Sequence, residues 1–123
     1  MALRIIVQHT NMSIESLLMD GSNEVGHFEI HFGSTYSLGI GINEEYQGKG
    51  YSIQLIQAAF KQINLPKDKK LYIDTDASEG FWDYLGLVKN PLYDFTEEQR
   101  DWEGAGYEKY IVVTDLLTRL NMN

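Results

Sequence analysis

Residues 39–52 constrain the fold most, because an apolar strand leads there into a glycine-bearing turn and then into a helix. After the turn, apolar residues recur at helical spacing, at Ile53, Ile56, Ala59, Phe60 and Ile63. This spacing predicts a helix over about residues 50–63 that stops before Pro66. The segment therefore favours a fold that mixes strands with helices.

The turn itself has the features of an anion site. The backbone N–H groups that begin a helix lack intrahelical partners, and the helix dipole adds positive potential there. Gly48 and Gly50 would let a phosphate approach the backbone closely, and Lys49 adds a positive charge. A pyrophosphate-binding turn is one interpretation. A plain connection that needs glycine for positive φ is the other, and the glycines alone favour it.

The rest of the chain predicts a β meander followed by alternating helices and strands. Four strands are predicted first, at residues 3–7, 14–19, 25–32 and 35–42. Beyond the first helix, residues 71–74 form a strand, a second helix begins with a capping box at 76–79 and ends at Gly86, and residues 107–113 form a last strand. This order indicates an α+β or α/β fold, and the length indicates one domain over residues 1–123.

Charge and cysteine content narrow the classes of function. The formal net charge is −8, whereas a protein that binds nucleic acid needs a basic surface, so no nucleic-acid partner is expected. The absence of cysteine excludes disulfides and cysteine-ligated zinc. No apolar stretch approaches the roughly 20 residues that span a membrane, and the N-terminal apolar run is too short for a signal peptide. We therefore expect a soluble cytoplasmic protein without a membrane partner.

The motif at the turn is not one of the two common nucleotide-binding motifs. The P-loop spacing is absent, and Ile53 stands where the dinucleotide fingerprint needs its third glycine. Residues 47–52, Gln-Gly-Lys-Gly-Tyr-Ser, resemble instead the Q/R-x-x-G-x-G/A signature of the GNAT superfamily of N-acetyltransferases. Residues 81–87, an aromatic-rich helix ending in Gly-Leu, resemble that family's second motif, with one helix and one strand between the two motifs.

This resemblance implies a GNAT-type sheet, mixed but mostly antiparallel and twisted. The cofactor-binding helix follows its fourth strand and a second helix follows its fifth. The region before residue 35 is too short for the helices that many members carry after their first strand, so these are expected to be reduced or absent. Acetyl-CoA is the implied co-substrate, and no metal is implied. The residues implied to bind acetyl-CoA are Ile40, Ile42, Gln47, Gly48, Lys49, Gly50, Tyr51 and Ser52.

The resemblance also implies that an amine attacks the acetyl thioester directly. In the family the pantetheine arm pairs with the fourth strand, so the backbones of Ile40 and Ile42 are the candidates here, and an N–H near Ile42 would stabilise the oxyanion. A carboxylate accepts the amine proton, and Glu29 and Asp74 are the two candidates, between which the sequence does not choose. Each of them, taken singly, is more typical of a solvated carboxylate on a strand.

Trp82 is the main departure from the family pattern. Many relatives carry at this position a tyrosine that protonates the leaving thiolate, and an indole has no usable proton to donate. Smaller departures are Ser52 in place of Gly or Ala and Leu87 in place of Phe. Trp82 therefore supports an alternative function, a non-catalytic module that binds CoA or acyl-CoA without turnover. An interaction domain whose turn binds no cofactor is a third alternative.

The acceptor is expected to be cationic, such as a polyamine, a small amine or a protein amine. Five acidic residues stand before the last strand, namely Asp94, Glu97, Glu98, Asp101 and Glu103. With Trp102 they would suit an ammonium group, although a solvated loop has the same composition.

His27, Glu29 and His31 occupy every second position of the third strand and therefore share one of its faces. This pattern is more typical of a polar sheet surface than of a metal site. A homodimer is left open as the assembly.

Overall fold

The computed structural model describes residues 3–75 and 80–122. Within them, the strands and helices are β1 Leu3–His9, β2 Ser13–Asp20, β3 Asn23–Phe32, β4 Tyr36–Ile42, α1 Tyr51–Phe60, β5 Lys70–Ile73, α2 Phe81–Tyr84, β6 Val88–Lys89, β7 Lys109–Val112 and α3 Val113–Arg119. The strands form a seven-stranded sheet in the order β1-β2-β3-β4-β5-β7-β6. β4 and β5 are parallel, whereas the β1–β2, β2–β3, β5–β7 and β6–β7 pairs are antiparallel. This mixed α+β sheet confirms the predicted fold class.

The chain divides into two compact units. The first runs through Phe32 and includes Leu38–Asn64, and the second consists of Gly33–Ser37 and everything from Leu65 onward. None of the helices in the described ranges combines the length and the hydropathy that crossing a membrane requires.

The first unit is a three-stranded meander, extended by most of β4, on which α1 packs. The alternation predicted for β3 is confirmed, since Phe28 and Ile30 are fully buried while His27 and Glu29 on the other face are half-buried. Opposite these two core residues, β2 places Ser16 and Ile14. Residues 10–12 alone join β1 to β2, so the helices expected to be reduced after the first strand are absent there.

Helix α1 ends at Phe60, three residues before the predicted end. Gln62 donates its N–H to the carbonyl of Ala59, which closes a tighter turn, and Pro66 disfavours helical backbone in the residue before it. The buried stripe also differs slightly from the prediction, because Leu55 is fully buried and Ile53 only half-buried. The face that meets the meander is therefore shifted around the helix.

The second unit is built on β5, which pairs along its length with β7. The core of this unit includes Leu71, Ile73, Leu85, Ile111 and Leu116. Helix α2 ends as predicted, with Gly86 at a φ of 97° just after it, whereas the capping box predicted at residues 76–79 lies outside the described residues. The last strand, Lys109–Val112, is shorter than predicted by two residues at its start and by one at its end, where helical backbone begins at Val113.

The connection between β6 and β7 is a series of turns held by side chains. Thr96 and Gln99 form a reciprocal cap, in which the Thr96 N–H donates to Gln99 Oε1 (3.0 Å) and the Gln99 N–H donates to Thr96 Oγ1 (3.3 Å). Asn90, only 3% exposed, donates from Nδ2 to the carbonyls of Gly104 and Tyr107. Strand β6 was not predicted, because its two residues are too few to show an alternating pattern.

Candidate functional site

The glycine turn has the backbone geometry that a phosphate cradle requires. Gly48 and Gly50 have φ angles of 75° and 82°, in the left-handed region that glycine occupies without strain. Gly50 is the N-cap of α1 and supplies no side-chain cap, so the first N–H groups of this ten-residue helix are left for another acceptor. A Cβ added at either glycine would have no atom within 4 Å, which means that the space above the turn is open.

Two side-chain hydrogen bonds hold the turn in place. Gln47 donates from Nε2 to the carbonyl oxygen of Ile42 at 2.8 Å, which closes the turn onto the end of β4. Tyr46 donates from its hydroxyl to Asp20 Oδ2 at 2.5 Å and so ties the residue before the motif to the end of β2. This hydrogen bond, with burial and the charge of Asp20 adding to it, raises the pKa of Tyr46 to about 12.

The bond between Asp20 and Tyr46 was not predicted from the sequence. Twenty-six residues separate the two partners, and each has an ordinary local explanation, one in a hairpin turn and the other in an aromatic motif. Local sequence patterns contain no signal for a hydrogen bond between residues so far apart in the sequence. The bond becomes visible only when the meander places the end of β2 beside the turn.

Charge around the turn favours an anion at its exposed part. Residues 47–50 are exposed, whereas Tyr51 and Ser52 are half-buried in the first turn of α1. This first turn contains no acidic residue, and Lys49 supplies the local positive charge. Glu44 and Glu45 lie upstream in the short 3-10 helix Glu44–Tyr46. The arrangement can therefore bind an anionic group at the N-terminal end of α1.

The two glycines of β4 lie against polar side chains of β3. A Cβ on Gly39 would be 3.4 Å from Glu29 Oε1, and a Cβ on Gly41 would be 3.0 Å from His27 Cε1. Within the first unit, side chains of β3 thus approach the backbone of β4 closely at these two glycines. It also brings one of the two predicted carboxylates, Glu29, beside the strand whose Ile40 and Ile42 backbones are the predicted pantetheine partners. Ile40 and Ile42 are half-buried.

The other two predicted catalytic residues belong to the second unit. Asp74 is exposed just after β5. Trp82 is 3% exposed in α2, and its ring meets that of Phe81 edge-on with centroids 5.2 Å apart. Trp82 is thus a packing residue in α2, and a role for it or for Asp74 in catalysis stays a prediction. Tyr84, on the same helix, is 69% exposed.

The polar face of β3 has no metal-binding geometry. Within residues 3–75 and 80–122, no group of three or more His, Cys, Asp or Glu side chains is arranged to hold a metal ion. His27 has an acidic neighbour at 3.9 Å, measured from its Nδ1 to Glu24 Oε2, and the two side chains are 42% and 52% exposed. On this face of β3, His27 and Glu29 are half-buried and His31 is exposed.

No protein-family model matches the sequence, and no curated protein sequence matches it. Solved structures do match. A protein assigned as an acetyltransferase from Exiguobacterium sp. 255-15 has a TM-score of 0.61 at 11% identity, over 89% of this chain and 68% of its own. The spermidine/spermine N-acetyltransferase SpeG of Vibrio cholerae has a TM-score of 0.54 at 24% identity, over 90% and 70%. The PaiA N-acetyltransferase of Thermoplasma acidophilum, solved with coenzyme A, has a TM-score of 0.51 at 18% identity, over 82% and 61%.

The chain has the GNAT acetyltransferase fold. The fold class that the two motifs predicted is thereby confirmed. A further SpeG structure with this GNAT fold was solved with coenzyme A and spermine. In the present GNAT fold, α1 follows β4 and the left-handed glycines stand between them, at the position where the motif predicted the cofactor turn.

Proposed function

We propose that this chain is an N-acetyltransferase that uses acetyl-CoA and transfers the acetyl group to a primary amine. The observation that carries the proposal is the open glycine turn at residues 47–52, which begins α1 in a chain with the GNAT fold. The pyrophosphate would lie against the N–H groups that begin α1, within reach of Lys49. The remaining predicted partners of acetyl-CoA are the backbones of Ile40 and Ile42, and Gln47, Tyr51 and Ser52.

Direct attack by the amine requires a group that accepts its proton. Glu29 is favoured over Asp74 in this proposal, because its carboxylate lies against Gly39 on the strand that would bind pantetheine. General base catalysis of this kind is typically worth about 10²–10⁴-fold in rate. The chain is proposed to act as one domain over residues 1–123, in the cytoplasm, and without a metal.

A cationic amine is the proposed acceptor. The net charge of −8 favours the approach of cations, and the acidic residues 94, 97, 98, 101 and 103 are exposed. SpeG, a neighbour in fold, was solved with spermine. A polyamine, another small amine and a protein amine all carry the required charge at neutral pH.

The alternative is a module that binds CoA or acyl-CoA without turnover, and Trp82 is the observation that favours it. An indole that is 3% exposed neither donates a usable proton nor reaches solvent. Two measurements on the wild-type chain separate the alternatives. Stabilisation against heat by acetyl-CoA tests binding, because a ligand selective for the folded state must raise its stability. Release of free thiol with a panel of amines then tests turnover.

Stabilisation together with thiol release supports the enzyme. Stabilisation without thiol release for any amine supports the binding module. If acetyl-CoA leaves the melting temperature unchanged and no amine is acetylated, both are wrong and the turn is a plain connection.

A further inference from the structure

Strand β1 lies at one end of the strand order and is long for an edge strand. β1 has seven residues, contains no proline and pairs with β2 without a register shift. Ile5, Ile6 and Val7 form a consecutive β-branched apolar run at its centre. At the opposite end of the strand order, β6 has only two residues. Edge strands present unpaired backbone groups, so a long apolar edge is a surface on which another strand pairs.

A groove runs beside this edge, on the face of the sheet that α1 covers. It has a volume of about 350 Å³ and is open to solvent. Ile5 and Val7 line it from the strand, and Gln54, Gln57, Ala58, Lys61 and Gln62 line it from the helix. An edge strand beside a helix is the geometry of strand addition, in which the backbone of the added strand extends the sheet and its alternate side chains enter the groove.

Charge on this surface differs from charge on the rest of the chain. At a net charge of −8, two copies of the chain repel each other. β1 nevertheless contains no acidic residue, and its one permanent charge is Arg4. Among the side chains that line the groove, Lys61 is the only charged one. The edge is thus a place where two copies can meet without opposing their acidic groups.

We propose that β1 pairs with β1 of a second copy, antiparallel, about a two-fold axis at Ile6. Ile6 is the central residue of Leu3–His9, so this register pairs the whole strand. Since the axis preserves the faces of the sheet, Ile5 stands opposite the partner's Val7 on the groove side. On the other side, Arg4 stands opposite the partner's Gln8, so no two like charges are opposed.

In this arrangement, apolar side chains of the partner enter the groove and meet its apolar floor. The partner's Ile5 and the partner's Val7 extend the apolar floor that Ile5, Val7 and Ala58 begin. Removing this apolar surface from water favours the pairing. This pairing does not depend on whether the chain transfers an acetyl group.

The first experiment compares one substitution at each edge of the sheet. The molecular mass of wild type, Val7→Lys and Val88→Lys is measured by light scattering after gel filtration. We expect wild type and Val88→Lys to be dimers and Val7→Lys to be a monomer. Val88 lies on β6 and is 54% exposed, so Val88→Lys adds the same charge at the opposite edge. A monomeric wild type, or a Val7→Lys protein that keeps the dimer mass, would overturn the proposal.

The second experiment tests the register and stays informative if Val7→Lys fails to fold. Because the chain has no cysteine, Ile6→Cys introduces its only thiol. At the axis the two Cβ atoms lie about 4.5–5.5 Å apart, so an oxidant should join the copies. Arg4→Cys is the control, since its two thiols would stand four residues apart along the strands, roughly 13 Å, beyond the ~7 Å limit for Cα atoms of a disulfide. A crosslink at Arg4→Cys with none at Ile6→Cys would contradict this register.

Discussion

Gly50 distinguishes a ligand-binding role of the turn from a purely conformational one. Gly50 and Gly80 precede α1 and α2 with φ angles of 82° and 85°, and a Cβ at either would have no atom within 4 Å. Gly50→Val and Gly80→Val therefore carry a similar backbone strain, at least about 1–2 kcal/mol. We expect both to lower thermal stability, and only Gly50→Val to weaken acetyl-CoA binding, by about tenfold or more (~1.4 kcal/mol).

Calorimetric titration of acetyl-CoA into both folded variants measures this difference. The matched strain matters here, because a loss of affinity in both variants would reflect general destabilisation. An unchanged affinity in folded Gly50→Val would show that the pyrophosphate does not bind at this turn.

Tyr46 should strengthen acetyl-CoA binding indirectly, because its hydrogen bond to Asp20 holds the glycine turn in position. Tyr46→Phe removes the hydrogen bond to Asp20 and nothing else, so we expect a higher Kd for acetyl-CoA and an unchanged kcat at saturation. Asp20→Asn keeps an acceptor and should retain most of the affinity. An equal Kd in wild type and Tyr46→Phe would mean that the bond only supports the fold.

The pH dependence of this bond has a definite sign. The pKa of Tyr46 is raised from 10.0 to about 12, so the folded state favours the neutral hydroxyl. Its contribution to stability is complete below pH 10 and is lost as the pH rises toward 12. In the Tyr46→Phe protein this part of the alkaline unfolding curve should disappear.

At the scale of elements, segments with a regular hydrophobic pattern were predictable from the sequence. Very short elements and contacts between distant residues were not. β3 was predictable because Phe28 and Ile30 alternate with polar residues, and burial follows that alternation. The turn before α1 was predictable because its glycines and the helix after it form one local pattern. Strand β6 was not predictable, because it has only two residues. The bond between Asp20 and Tyr46 was not predictable either, because it joins residues that are distant in the sequence.

Helix α2 allows the missing acid to be restored and measured. Trp82→Tyr should cost stability, about 0.5–3 kcal/mol, because Trp82 is 3% exposed and a smaller ring leaves space. Trp82→Phe loses nearly the same volume without adding a hydroxyl, and so serves as the control. If the chain is an enzyme with the thioester near this position, kcat of the Tyr variant should exceed that of the Phe variant. Its rate should then fall as the pH approaches ~10, where a tyrosine ionises.

Equal kcat values for the two variants would show that position 82 does not reach the leaving thiolate. Thiol release by neither variant nor by wild type would favour the binding module. CoA thiol is itself a fairly good leaving group, with a thiol pKa near ~8.5, so wild type can turn over without a side-chain acid.

At the scale of the whole molecule, the acidic residues can attract a cationic acceptor in two ways, through the net charge of the chain or through a local binding site. A general field attracts any cation and depends on net charge, whereas a site depends on where the carboxylates stand. Within the acidic run, Glu103 already pairs with Lys69 at 3.0 Å, and Lys69 lies 4.2 Å from the centroid of the Tyr36 ring. Glu97 and Glu98 are exposed and are the better candidates to meet an acceptor.

The last prediction separates these two cases by moving the same charge change to another place. Glu97→Gln with Glu98→Gln should raise the KM for a cationic amine and flatten its dependence on salt. Asp68→Asn with Asp115→Asn removes the same two charges from other exposed positions and should change both much less. The distinction is measurable because at 0.15 M salt a charge acts over about 8 Å, so only carboxylates near the bound amine contribute strongly. Equal increases in KM for the two double variants, measured with both proteins folded and at the same ionic strength, would assign the effect to net charge and remove the acidic run from the acceptor site.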